Sequence, residues 1–336
     1  MSKKGSTIRE ISLATGYSPS TLSRFANHPE LLNENTRKDV MAKILECGLS
    51  MPKPMLTKKN IIGLTFSDPS SLFTAAIISA IEKKLANSPY QLLLINMVER
   101  IDAYKFFNHH SSILKKIDGL IISGGMLSEE GSAFFKKIGI PLSLIHTSCP
   151  NEFSVLTNNY AGGQGAAKHL LSQGYQHVGM VRWSPSDEHI HDRYLGFSSV
   201  FEDAGYPIHP NLLIDAPLSS EGGYGATKRL MELDSRPEAI FYGCDAMAAG
   251  GCRYLREQGI KVAEDVGVIG FDNLFIAQLM GITTMDQFID KKIDMVVNNL
   301  FARLGELSKT VSSKEEVSIT PKVVIRTSLR HNSENC

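Results

Sequence analysis

The sequence lacks paired cysteines. Its five, Cys47, Cys149, Cys244, Cys252 and Cys336, are scattered with no C-x-x-C spacing. That excludes a disulfide framework or a zinc ribbon and fits reduced thiols in a cytoplasmic protein. No apolar run approaches the roughly 20 residues of a membrane span. The opening "MSKKGSTIRE" has two lysines but no apolar stretch, so no secretory signal is expected. No G-x-G-x-x-G, P-loop, G-x-S-x-G or metal-ligand cluster occurs, so the sequence predicts no catalytic residue, no cofactor and no metal. Tryptophan occurs once, at Trp183, and net charge is zero. What remains is a globular composition, 43% hydrophobic, in a chain of 336 residues, long enough for two or three domains.

The charge balance hides an asymmetry. Residues 1–60 carry ten Lys/Arg against five Asp/Glu, and the rest carries 25 against 30. A basic head on an acidic body points to a polyanion as the partner of the head. Three short helices fit residues 1–48. The first starts at "TIRE", where Thr7 and Glu10 have capping-box spacing, carries Ile8, Ile11 and Leu13, and ends at Gly16. The second takes Ser18 as N-cap and Pro19 as its first helical residue, with Leu22, Phe25 and Ala26 on its apolar side. The third, capped by Asn33, turns Val40, Met41, Ile44 and Leu45 inward and stops at Gly48. Residues 49–60, with two prolines, read as a linker.

From residue 61 short β-rich runs alternate with helical stretches, beginning "NIIGLTFS", "TAAIISAIEKKLAN", "YQLLLINM" and "DGLIISGG". Such alternation implies parallel sheets with right-handed crossovers, and ten or more strands imply two doubly wound lobes. Ligands in these lobes sit at the carboxyl ends of strands, which marks the loops after 66, 123, 146, 183, 217, 243 and 271.

Two helices joined by a tight glycine turn, with a third packed across them, match a helix-turn-helix. Its second helix would bring Pro19, Ser20 and Thr21 to base edges and Ser23 and Arg24 to phosphates. The run "TIREISLATGYSPSTLSRFANHPELLNENTRKDVMAKILECG" resembles the DNA-binding headpiece of the LacI/GalR family of bacterial repressors. Thr7, Ile8, Gly16, Ser18, Thr21, Ser23, Arg24, Asn27, Thr36, Arg37 and Val40 fall on the family pattern. "DRYLGF", "SSEGGYGATKRL", "CDAMAAGGCRYLREQGIKVAEDVGVIGFDN" and "ITTMDQ" extend the likeness through the body.

The resemblance implies a small all-α helix-turn-helix domain (1–48), a hinge (49–60) and a periplasmic-binding-protein-like α/β core (61–336). Lobe 1 would span about 61–158 and 288–320, and lobe 2 about 159–287 and 321–330. It implies a homodimer that binds a palindromic double-stranded DNA operator and a small polar effector, such as a sugar or a related metabolite. Thr7, Ser18 and Asn27 join the DNA-facing set. The hinge is shorter than the family's usual hinge helix and poor in helix formers. That leaves Leu56 as the candidate for the minor-groove wedge and predicts an undistorted operator centre.

For the effector, Arg193 in "DRYLGF" matches the arginine that forks onto ligand hydroxyls or a carboxylate, and Asp272 in "GFDN" matches an aspartate that accepts hydroxyl hydrogens. The alternatives are a helix-surface arginine and a helix N-cap. Cys244 replaces a common amide donor, and Leu218 replaces a stacking aromatic, a face that Trp183 could supply instead. Phe73, Ser123, His146 and His189 complete the predicted lining. Two other readings compete: a nucleotide-cofactor enzyme suggested by the glycine-rich "AGGQGAAKHLL", and a small-molecule-binding module with a vestigial head.

Overall fold

A computed structural model describes residues 7–27, 32–47, 49, 58–97, 101–184, 187–305 and 316–330. It divides into two compact units, Met1–Lys59 and Asn60–Cys336.

The first unit holds α1 (Ile8–Thr15), α2 (Pro19–Asn27) and α3 (Glu34–Glu46). Thr7 caps α1 in a full capping box with Glu10, and Gly16 ends it in the left-handed conformation at φ 76°. Only a residue that tolerates positive φ makes so tight a turn without strain. Ser18 caps α2, its Oγ accepting from the Thr21 backbone N–H at 3.1 Å. Ile11, Leu22, Phe25, Val40 and Ile44 form the core. Leu13 and Met41 depart from expectation, being 81% and 40% exposed. Each lies off the stripe that buries its helix: Leu13 is two residues past Ile11, and Met41 is next to the Val40–Ile44 pair one helical turn apart. Tyr17, in the turn, donates its hydroxyl to Asp39 on α3 and braces the turn against the third helix.

The second unit contains two six-stranded sheets. The first includes β1 (Ile61–Phe66), β2 (Gln91–Asn96), β3 (Gly119–Ile122), β4 (Leu142–Ile145), β5 (Ser154–Thr157) and β11 (Glu316–Ile319), in the order β11-β5-β4-β3-β1-β2 and all parallel. The second includes β6 (Val178–Arg182), β7 (Leu213–Asp215), β8 (Ala239–Tyr242), β9 (Gly267–Asp272), β10 (Thr283–Asp286) and β12 (Lys322–Val324), in the order β12-β10-β9-β8-β6-β7. Only β12 runs antiparallel, along β10. The inner strands are buried on both faces, as the continuous apolar runs require.

Helices α4 (Leu72–Leu85), α5 (Ala103–His109), α6 (Ser111–Leu114), α7 (Glu129–Ile138) and α13 (Ile289–Arg303) belong with the first sheet. With the second go α8 (Asn159–Ser172), α9 (Glu188–Asp203), α10 (Ser220–Met231), α11 (Asp245–Glu257) and α12 (Phe275–Met280). The chain passes between the sheets three times, after β5, after β10 and between β11 and β12. No helix among the described residues is long and apolar enough to cross a membrane.

The glycine-rich "AGGQG" opens α8, and its glycines serve packing. A Cβ on Gly163 would run into the Arg193 carbonyl, and one on Gly196 into the Tyr160 carbonyl, so α8 and α9 touch backbone to backbone. The run therefore sets helix–helix distance and builds no phosphate cradle.

Candidate functional site

On the head, Pro19, Ser20 and Arg24 are exposed, and Thr21 and Ser23 are half-buried along the same helix. Ser18 Oγ lies 2.9 Å from Ser20 Oγ and 2.8 Å from Thr21 Oγ1, so three hydroxyls form one cluster at the start of α2. Thr7 is exposed at the start of α1. Leu56 and the Asn27 side chain lie outside the described residues.

In the body, a cavity of about 510 Å³ opens between the lobes, within the range of small-molecule sites. Carboxyl ends of strands supply its lining. Phe73 comes from the start of α4 after β1, His146 follows β4, Trp183 follows β6, Leu218 precedes α10, Cys244 follows β8 and Asp272 ends β9. His189 and Arg193 come from α9. Ser123 is the correction. It does not line the cavity but is buried, and its backbone N–H and C=O are both bonded to Thr65 Oγ1 at 3.0 Å. It is the first residue past β3, and its bonds to Thr65 on the neighbouring β1 hold it against the sheet and away from the cavity.

A ring of hydrogen bonds forms the floor. Arg193 is buried, not a surface arginine, and its guanidinium lies 3.6 Å over the Phe271 ring centroid. Its Nε donates to Asn159 Oδ1 at 2.8 Å, its Nη1 donates to the Gly243 carbonyl, and Asp272 Oδ1 stands 3.9 Å away. Asn159 Nδ2 meets His189 Nδ1 at 3.3 Å, and His189 Nε2 meets the His146 carbonyl at 3.0 Å. That network assigns His189 the Nε2–H tautomer. Asp272 caps no helix; it accepts from Gln287 Nε2 at 2.6 Å. Its φ of 120° and the 58° of His146 place both in backbone conformations that cost energy in non-glycine residues, a feature that clusters at functional sites.

Electrostatics follow from burial. Desolvation and the neighbouring Asp272 push the Asp245 carboxyl up to about 8. Asp272 rises to about 6, held there by Arg193 and the Gln287 bond against desolvation. Burial pushes the Cys244 thiol up to about 12, so it is a neutral thiol and no nucleophile. Apolar side chains, Leu72, Phe73, Trp183, Leu218, Leu274 and Ile276, cover the walls above the polar floor. Trp183 also packs on the lobe 2 core, which fixes its ring at the rim.

A periplasmic binding protein-like domain profile matches residues 167–329. Across 97% of this chain and 98% of the relative, the sequence is 26% identical to the transcriptional repressor PurR of Glaesserella parasuis. Against PurR of Actinobacillus pleuropneumoniae it is 25% identical over 97% of this chain and 98% of that protein. The fold is similar to a ribose-bound LacI family transcriptional regulator from Enterococcus faecium, with TM-score 0.69, 26% identity and coverage of 80% and 98%. A second ribose-bound regulator, from Enterococcus faecalis, gives TM-score 0.65, 27% identity and the same coverage. Along nearly its whole length the chain is similar to repressors and regulators of the LacI/GalR family. This likeness supports reading it as a ligand-responsive transcriptional repressor.

Sequence reasoning missed Thr157, Asn159, Gln287 and Lys292. Asn159 and Thr157 sit where a lobe crossover begins, which no local pattern marks. Lys292 was legible: at helical spacing it falls with Ile289 and Val296 on the inward stripe of α13.

Proposed function

We propose that this repressor acts as a cytoplasmic homodimer on a palindromic operator, with a sugar or sugar derivative held in the interlobe cleft and no catalytic step of its own. The observation that carries the reading is the pairing of buried Arg193 and Asp272 at the floor of a cavity between two doubly wound lobes. Arg193 Nη2 makes no bond among the described residues, which leaves it free to donate to a ligand oxygen. Asp272 is the matching acceptor for a hydroxyl. The two ribose-bound relatives support a sugar-like effector.

On DNA, Pro19, Ser20 and Thr21 face bases, while Thr7, Ser18, Ser23, Arg24 and Asn27 hold the backbone. Two heads on two-fold related half-sites compensate for small side chains that offer no bidentate fork. Exposed Phe275 and Leu279, one turn apart on α12, offer apolar surface for the second copy. Recovery of bound duplexes from random-sequence DNA tests the reading. A two-fold symmetric consensus whose log affinity falls steeply with log salt is expected. A slope near zero would remove the DNA-binding role.

A further inference from the structure

The effector reading gives Lys292 no task. Helix α13 buries Ile293, Val296, Val297 and Leu300, and Lys292 is buried beside them with no exposed surface. Its Nζ has three neighbours, each at 2.7 Å: His146 Nε2, Thr157 Oγ1 and Gln287 Oε1. They come from the loop after β4, the end of β5 and the segment after β10. All three also line the cleft. The amine therefore lies one layer beneath the floor, at two of the crossovers that join the lobes.

The protons in this cluster can be counted. An ammonium has three N–H donors and no lone pair, so three neighbours satisfy it fully. His146 Nε2 then accepts, and its ring proton sits on Nδ1, which is buried without a partner among the described residues. Removing one proton gives a second complete arrangement. The neutral amine donates to Thr157 and Gln287, and its lone pair accepts from His146 Nε2–H. No heavy atom moves; the charge changes by one, and the free His146 nitrogen turns from donor to acceptor.

The surrounding charges set which arrangement prevails. Asp272 on β9 and Asp286 on β10 favour the ammonium, and Arg193 on α9 opposes it. Lys292, His189 and Arg193 all keep the His146 ring neutral, with burial the largest cause. Burial pushes the Lys292 amine down to about 7. With Asp245 held neutral, Asp272 is the buried carboxylate of the cavity lining beside the two cations Arg193 and Lys292, while Asp286 and Asp187 act on them from outside that lining. Charge away from water is costly unless it is paired, so on its cavity side this floor, with two cations and one buried carboxylate, favours an anion in the ligand.

We propose that Lys292 is a proton-linked positioning residue of the cleft: as an ammonium it orders His146, Thr157 and Gln287 to receive an effector that carries one oxyanion among its hydroxyls. The inference rests on the cleft being the effector site, and it narrows the class to acids such as a sugar acid. Anion binding and protonation of Lys292 favour each other equally, because linkage is reciprocal. Affinity for such an acid should fall up to tenfold per pH unit above neutrality.

Two measurements on the full chain test this. The first needs no ligand: denaturant unfolding of wild type and Lys292→Met between pH 6 and 9.5. A lysine that keeps its proton to about 10.4 when unfolded and loses it near 7 when folded makes wild type gain on the variant as pH rises, up to tenfold in the folded-to-unfolded ratio per unit. Parallel profiles would overturn the proposal. If the variant fails to fold, ¹⁵N spectra of histidine-labelled wild type decide instead. The His146 Nδ1–H tautomer should give way to Nε2–H through one transition near neutrality, and a pH-invariant ring refutes it. The second is thermal unfolding with D-glucuronate against D-glucose at pH 6.5 and 8.5. Glucuronate should raise the wild-type midpoint more at pH 6.5, with the difference lost in Lys292→Met. Stabilisation by glucose alone, equal at both pH values, overturns the anionic class and leaves the cleft as a neutral-sugar site. No stabilisation by glucuronate overturns it as well.

Discussion

His189, on α9 of the second lobe, donates from Nε2 to the backbone carbonyl of His146, in the loop after β4 of the first lobe, at 3.0 Å. It is a direct tie across the cleft, and its donor is oriented from behind by Asn159, whose oxygen is in turn held by Arg193. A ligand that grips Arg193 therefore acts on the same chain of bonds that joins the lobes. His189→Ala should cost about 1 kcal/mol of stability, the worth of one hydrogen bond. It should also widen the unliganded cleft. Denaturant unfolding and small-angle scattering measure the two effects; an unchanged scattering profile would show that the tie does not hold the lobes.

Arg193 and Asp272 are both buried and 3.9 Å apart, so removing one strands the other. Arg193→Ala should cost roughly 3–5 kcal/mol, as breaking buried pairs does. The double variant with Asp272→Asn should cost less than the sum of the two single variants, by about 0.5–3 kcal/mol of coupling. Additive losses in unfolding experiments would mean that the two groups act independently.

Asp245 gives a pH signature of the opposite sign to Lys292. Its carboxyl accepts from Thr284 Oγ1 at 2.6 Å and from the Leu274 N–H at 2.7 Å. Burial raises its folded value to about 8, above that of the unfolded chain. The stability this group contributes is fully present below the unfolded carboxylate range near 4 and is lost as pH rises through about 8. Asn is a permanent mimic of the neutral acid, donating to Thr284 and accepting from Leu274. Asp245→Asn should therefore gain on wild type between pH 4 and 8, by up to tenfold in folded-to-unfolded ratio per unit. Equilibrium unfolding across that range reads it, and a constant difference would place the ionised carboxylate in the fold.

Much of the architecture was legible because its signals are local. Alternating apolar runs and helices predict two parallel lobes, and "TIRE", Gly16 and Ser18-Pro19 predict the caps of the head. Most of the cleft lining followed from the rule that ligands sit at strand carboxyl ends. Ser123 failed because that rule cannot say whether the residue just past a strand turns to the cleft or stays bonded to the next strand, as Ser123 does to Thr65. Asn159 was missed because its partners are distant in the chain; Lys292 stood on the inward stripe of α13, but what it bonds there is set by partners equally distant. The glycines of α8 were ambiguous for a related reason, since a cradle and a close helix contact use the same residue. Gly163→Ala separates them. A Cβ there meets the Arg193 backbone, so a loss of roughly 1–3 kcal/mol or more is expected from overpacking. Gly225→Ala, in α10 with nothing within 4 Å of the new methyl, should instead stabilise by about 0.5–1 kcal/mol. Thermal unfolding of the two variants checks both signs.

The head makes its own prediction. Arg24 is exposed one turn beyond the Ser18–Ser20–Thr21 hydroxyl cluster, and in the proposed docking it meets a phosphate and not a base. A phosphate contact contributes affinity through counterion release and carries no sequence information. Arg24→Ala should therefore weaken binding about equally for cognate and mutated duplexes, and lower the magnitude of the salt slope by about one per contact. Thr21→Val keeps the shape but removes a hydroxyl that the proposed docking turns to the bases, so it should change the ranking of duplexes and leave the slope alone. Fluorescence anisotropy over a salt series separates the two. If Arg24→Ala instead altered the preferred sequence, the arginine would be reading a base, and the docking of α2 would have to be rotated to bring it into the groove.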